Sequence, residues 1–178
     1  MKRSPTSKRI DVTGLLKRPT LYIDIDDTII ACIWDGSGFD LRPNIMTQLR
    51  VLKELYNVRW LTCWGPEPLK KLIDSLYGQD IWRDTEYCAW MTRLSSAKNE
   101  KVDAVLEGPE DWYWLEDPLY GDDLLRLREA GLESRYIQVH PREVWAFADA
   151  CKKLFEMTNV TPEKLKEVGA NIKWFERY

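Results

Sequence analysis

The sequence is poor in the groups that most often build zinc and nucleophile sites. It has one histidine, His140, and four cysteines, Cys32, Cys63, Cys88 and Cys151, which lie far apart without a CxxC pair. A structural zinc site needs about four nitrogen or sulfur ligands at short spacings, so this pattern argues against one. A Ser-His-Asp site would have to use His140. Scattered cysteines in apolar runs read as buried free thiols in a reducing compartment. No run approaches the roughly 18 apolar residues of a membrane span, and the polar N-terminus lacks the apolar stretch of a signal peptide. The expectation is a cytoplasmic protein with no membrane partner. Internal repeats and long low-complexity tracts are also lacking.

What is present is the balance of a globular chain. Of the 178 residues, 44% are hydrophobic and 31% charged, which suits one domain with a sizeable core. The net charge of −3 is unevenly spread. Residues 1–19 carry six basic side chains against Asp11 alone, a charge of +5, and the remainder carries −8. The division expected is a basic tail over 1–19 and a single domain over 20–178. A basic tail can attract nucleic acid, and it is as readily an ordinary solvated terminus. The nine tryptophans are expected mostly in the core, with Trp34 and Trp64 as candidates for stacking on a base.

Short strand-like runs alternate with helical spacing. Residues 20–25 (TLYIDI) read as a buried strand, and 31–43, with the turn signal Asp35-Gly36-Ser37-Gly38, as a flap or hairpin. Ile45, Leu49, Leu52 and Tyr56 mark a helix, and 58–62 a second strand. Gly65-Pro66 opens a helix with Leu69, Leu72, Ile73 and Leu76 on one face. Residues 86–91 form a third strand candidate, followed by Ser95-Ser96 and a helix through Val105. Residues 111–116 form a fourth, and a short helix after it ends at Gly131. Residues 135–139 form a fifth. Val144, Phe147, Ala148, Cys151, Leu154 and Phe155 mark an amphipathic helix. Thr161-Pro162-Glu163 begins a last helix with Leu165, Val168, Ile172 and Phe175 inward. Such alternation predicts an α/β domain, an open and mainly parallel Rossmann-like sheet with helices on both faces.

Ligands of such sheets bind beyond the carboxyl ends of the strands. The first strand delivers Asp24, Asp26, Asp27 and Thr28 there, the second Thr62, and the fourth Glu116 and Asp117. Acids after one strand are common turn formers. Two acidic clusters converging on one edge repel unless a cation neutralises them, and an oxygen-only donor set suits Mg²⁺ before Ca²⁺.

Tyr22-Ile23-Asp24-Ile25-Asp26-Asp27-Thr28 resembles the first motif of the haloacid dehalogenase (HAD) superfamily of aspartate-nucleophile phosphatases, DxDx(T/V) after an apolar strand. Thr62, a lysine near a helix start and Glu116-Asp117 follow in the order of that superfamily's other motifs. The resemblance spans 20 to about 140. It is closest to small capless members with a TxW second motif, as in Thr62-Cys63-Trp64, and a lysine before an AVL segment, as in Lys101-Val102-Asp103-Ala104-Val105-Leu106. Such domains occur among predicted RNA-repair phosphatases. Asp27 stands where the family often has glycine, and Glu116-Asp117 where it has two aspartates.

The resemblance implies roles. Asp24 is the nucleophile that forms an aspartyl-phosphate, and Asp26 the acid and then the base. Mg²⁺ is held by Asp24, the Asp26 carbonyl and an acid of the fourth motif, Asp117 or Glu116, with Asp122 in reserve. Thr62 and a lysine, Lys101 or Lys98, hold the phosphoryl group. Thr28 and Arg42 are substrate-contact candidates, while Arg42 also stands where the chain leads into a helix. His140 lies past the fifth strand and also fits a turn before Pro141. The 38 positions from Asp24 to Thr62 and the 39 from Thr62 to Lys101 leave no room for a sizeable cap beyond the flap. The function implied is Mg²⁺-dependent phosphomonoester hydrolysis, with a polynucleotide end phosphate as one substrate. The alternatives are a nucleotidase or other small-molecule phosphatase, and a non-catalytic HAD-like binding domain.

Overall fold

The computed structural model describes residues 18–32, 39–63, 67 and 100–176. Several expected features lie outside these residues: the flap tip at 33–38 with Trp34, the helix carrying Leu69 to Leu76, the strand at 86–91, Ser95, Ser96, Lys98, Trp64 and most of the basic tail. In chain order the elements are β1 (Thr20–Ile23), β2 (Ile30–Cys32), β3 (Phe39–Leu41), α1 (Ile45–Leu55), β4 (Asn57–Trp60), α2 (Glu100–Leu106), β5 (Trp112–Glu116), α3 (Asp123–Glu129), β6 (Tyr136–Gln138), α4 (Ala146–Met157) and α5 (Pro162–Glu167). Short 3-10 turns follow at Glu133–Arg135 and Ile172–Phe175.

Among the described residues, four strands pair in parallel in the order β4-β1-β5-β6. The alternation of side chains along a strand explains why helices cover both faces. Leu21 and Ile23 of β1 pack with Leu49 and Leu52 of α1, Phe147 and Leu154 of α4, Leu165 and Phe175. Tyr22 points the other way and joins Trp114, Val102 and Val105 of α2, and Leu127 of α3. Each of these buried Leu, Ile or Val side chains stabilises the fold by roughly 1.5–3 kcal/mol before entropy is counted. The chain is an α/β fold with an open Rossmann-like sheet. β2 and β3 form an antiparallel hairpin directly after β1, at the position of the expected flap.

Several local boundaries differ from expectation, among them that of β4, which ends at Trp60 and leaves Thr62 beyond the strand. β1 stops at Ile23, because the chain beyond Asp24 folds into a tight loop. The backbone N–H groups of Thr28, Ile29 and Ile30 all donate to the Ile25 carbonyl, at 3.3, 3.0 and 3.1 Å. Val144 is 61% exposed and precedes α4, which begins at Ala146. The last helix, expected to run from Pro162 to Phe175, ends at Glu167. Gly169 then takes a positive φ of 70° that favours glycine. The break leaves Leu165 and Phe175 inward but turns Ile172 to solvent. The Thr161 cap is present, its hydroxyl accepting from the Lys164 backbone N–H at 3.2 Å.

Candidate functional site

The site follows from strand register. Neighbouring residues paired across a parallel sheet project to the same face. Ile23 pairs with Leu115, and the Asp24 N–H donates to the Leu115 carbonyl at 3.0 Å. Asp24 and Glu116 therefore leave the sheet side by side, each two residues beyond a side chain packed under α2, Tyr22 and Trp114. Lys101 in the first turn of α2 reaches both acids. Its Nζ donates to Asp24 Oδ1 at 2.8 Å and to Glu116 Oε1 and Oε2 at 2.8 and 2.9 Å. The indole Nε1 of Trp114 donates to Glu116 Oε2 at 3.0 Å. Asp24 and Glu116 are buried, and Asp117 is partly exposed.

Oxygens of Asp24, Glu116 and Asp117 lie within 4.8 Å of one another. Burial pushes the Asp24 carboxyl up to about 6, although the Lys101 charge and hydrogen bond pull it back. Glu116 is raised well above the carboxylate range by burial and then by the charge of Asp24. Asp117 is raised by burial, and the charges of Asp27 and Asp26 add to this. Burial opposes the Lys101 ammonium, but the charges of Asp24 and Glu116 and their hydrogen bonds outweigh it, so its pKa is raised. Among the described residues, one lysine thus stands among three crowded acids, a charge deficit that a bound cation relieves. The cluster could bind a metal ion, and carboxylate oxygens without nitrogen or sulfur fit a hard cation.

The loop that carries Asp26 is held from within. Asp27 sits at φ 53°, in the left-handed region that glycine adopts at least cost and that Asp tolerates better than most residues. Asp26 bridges to Ile30, and both acids are partly buried. Arg42, expected at the substrate, turns inward and is 4% exposed. Its Nε donates to the Thr28 carbonyl at 2.7 Å and its Nη1 to the Glu143 carbonyl at 2.5 Å. Its Nη2 donates to the carbonyls of Asp27, His140 and Pro141. The planar fork ties the loop after β1 to the loop after β6, a bracing role that replaces the expected substrate contact.

Thr62 is buried two residues beyond β4, which runs beside β1. Thr28, in the loop after β1, is fully buried. The structure brings Asp24, Lys101, Glu116 and Asp117 together, with Asp26 close enough to influence Asp24 and Asp117 electrostatically. Asp122 is exposed, whereas its neighbour Asp123 is buried with its carboxyl raised by that burial. His140 is exposed and contributes its carbonyl to Arg42. Sequence reasoning missed the Trp114 donor and the burial of Asp123. The i, i+2 spacing of Trp114 and Glu116 on one strand was the signal for the first. Among the described residues no helix is long and apolar enough to cross a membrane. Compared with known proteins, the chain matches no family profile and no curated protein.

Proposed function

We propose that this protein is a cytoplasmic, Mg²⁺-dependent phosphomonoester hydrolase of the HAD type, working through an aspartyl-phosphate on Asp24. The observation that carries this reading is the 2.8 Å contact between Lys101 and a buried Asp24, with Asp117 at the end of the neighbouring strand. A nucleophile, a cation beside it and a second acid at a parallel sheet edge are the groups phosphoryl transfer requires.

In this reading an Asp24 carboxylate oxygen forms a bond to phosphorus as the ester P–O bond breaks. Asp26 gives its proton to the departing oxygen. Asp26 then takes a proton from a water, whose oxygen attacks the phosphorus of the aspartyl-phosphate and releases orthophosphate and free Asp24. Lys101 and Thr62 orient the phosphoryl oxygens. Asp24, the Asp26 carbonyl and Asp117 would hold Mg²⁺, which supplies charge neutralisation between nucleophile and phosphate. Asp117 is preferred to Glu116 for this because both Glu116 oxygens already accept hydrogen bonds from Lys101 and Trp114. A non-catalytic binding domain has no need of a nucleophile and its acid, so Asp24, Asp26, Thr62 and Asp117 standing together in the motif pattern favour the enzyme.

The substrate reading is a phosphate at the end of a polynucleotide. It is supported by the +5 charge of residues 1–19, which attracts a nucleic-acid backbone. The −8 charge of the remaining chain favours a nucleotide or other small phosphoester instead. A panel of 3′- and 5′-phosphorylated oligonucleotides, mononucleotides and sugar phosphates, assayed for orthophosphate release at low and high salt, tests both. Preference for an oligonucleotide that fades with salt supports the first. Equal or better turnover of the mononucleotide, insensitive to salt, supports the second.

A further inference from the structure

We propose that Trp114 and Glu116 form a positioning pair that sets the Lys101 ammonium against Asp24, an inference that rests on the phosphatase reading for its kinetic consequence only. Trp114 is fully buried, and its indole N–H is the side chain's sole hydrogen-bonding group. A buried indole N–H needs an acceptor. It finds one in Glu116 Oε2, because two residues apart on a strand means the same face. The ring is held in turn by an edge-to-face contact with Tyr136, 6.0 Å between centroids. The Tyr136 hydroxyl donates to the Asp117 carbonyl at 2.8 Å and accepts from the Leu119 N–H at 3.3 Å. The indole is thus a rigid donor, and it adds a fixed contact to a carboxylate whose other partner, Lys101, sits on a flexible stem.

That fixed contact matters for Lys101. Its flexible four-carbon stem can place the ammonium in many positions, and contact with Asp24 alone constrains only one direction. Glu116 accepts through both oxygens and supplies the second constraint. The two-oxygen hold also lets one ammonium hydrogen turn to a phosphoryl oxygen while another stays on Glu116. Loss of the indole donor frees Glu116 and lets Lys101 drift from the oxygen whose charge it offsets in the transition state.

The test is a double-mutant cycle on the full chain, read two ways. Trp114→Phe in the wild-type background is expected to lower kcat about tenfold with little change in KM, the size of a supporting hydrogen bond to a site residue. In a Glu116→Met background, whose side chain offers the indole no oxygen acceptor, the same change is expected to cost much less, because the indole acts through the carboxylate. The second readout needs no turnover: acylation of the Lys101 amine, followed by peptide mass spectrometry, is expected to speed up in Trp114→Phe. If Trp114→Phe fails to fold, site-specific 3-benzothienylalanine at position 114 keeps the shape and replaces the N–H with sulfur. Equal kinetic losses in both backgrounds, or unchanged labelling of Lys101, would overturn the positioning role. A wild-type protein that hydrolyses no phosphoester contradicts the functional reading instead, and the labelling then decides the positioning role by itself.

Discussion

Asp24 and Glu116 stand side by side at the ends of adjacent parallel strands, and a single ammonium, that of Lys101, binds both. Two buried acids this close repel when both are ionised, and the ammonium between them offsets that charge. Asp117 adds a third carboxylate at the same edge. The consequences for metal affinity, pH and loop geometry follow from this arrangement.

Mg²⁺ is expected to raise stability. A ligand that binds only the folded state adds about 2.7 kcal/mol when present at about 100 times its dissociation constant. Thermal unfolding in EDTA and in excess Mg²⁺ should show a higher midpoint with the metal, and Asp117→Asn should remove most of the difference. An unchanged wild-type midpoint would contradict the metal site.

The pH dependence of metal-free stability has a definite sign. Asp24 titrates near 6 in the folded protein, against its ordinary 3.8. Between those values the folded chain holds a proton that the unfolded chain has released. The Asp24 contribution to stability therefore falls as pH rises through that window. Asp24→Asn carries no such charge. Urea unfolding in EDTA should show the variant gaining on the wild type from about pH 4 to about pH 6.5 and levelling off above it. A difference independent of pH would mean that Asp24 is not raised.

Asp27 is expected to be replaceable by glycine and not by a branched residue. Its φ of 53° costs a β-branched side chain about 1–2 kcal/mol more than it costs Asp. Chemical denaturation of Asp27→Gly and Asp27→Val compares the two. Equal stability for the valine variant would show that the loop relaxes out of the left-handed region.

Arg42→Met is expected to destabilise the protein by about 2–4 kcal/mol, since it removes several charge-assisted bonds and leaves the buried Thr28 carbonyl without the Arg42 donor. An arginine that touched substrate would give the opposite pattern, a raised KM with unchanged stability. Equilibrium unfolding together with steady-state kinetics separates the two.

The legible part of the molecule is the part governed by local pattern. The apolar run of Leu21, Tyr22 and Ile23 announced a strand covered on both faces, and the acids after it and after Leu115 announced the sheet edge at which Asp24, Glu116 and Asp117 meet. Lys101, one of the two lysines the sequence offered, is the one found beside Asp24 and Glu116, while Lys98 lies outside the described residues. The Arg42 fork was not, because its acceptors lie up to 101 residues away and are backbone carbonyls of loops, which no side-chain pattern marks. The break at Gly169 was hidden for a different reason: apolar spacing continued through it, while the backbone turned on a glycine whose φ the pattern does not carry. Asp122 stands at the N-cap of α3 and Asp123 is its first residue, a boundary too fine for periodicity to place, so the pattern did not separate the exposed acid from the buried one.

The central claim is that Asp24 is a nucleophile, and the most direct measurement is of the covalent adduct itself. Wild-type protein mixed with Mg²⁺ and a turned-over phosphoester, quenched in acid and digested, should yield the peptide containing Asp24 carrying one phosphoryl group. The adduct should be cleaved by hydroxylamine, as an acyl phosphate is, and should be lacking in Asp24→Asn, which should also release no orthophosphate. Orthophosphate release by Asp24→Asn at near wild-type rate, or a phosphoryl group found on another residue, would contradict the account.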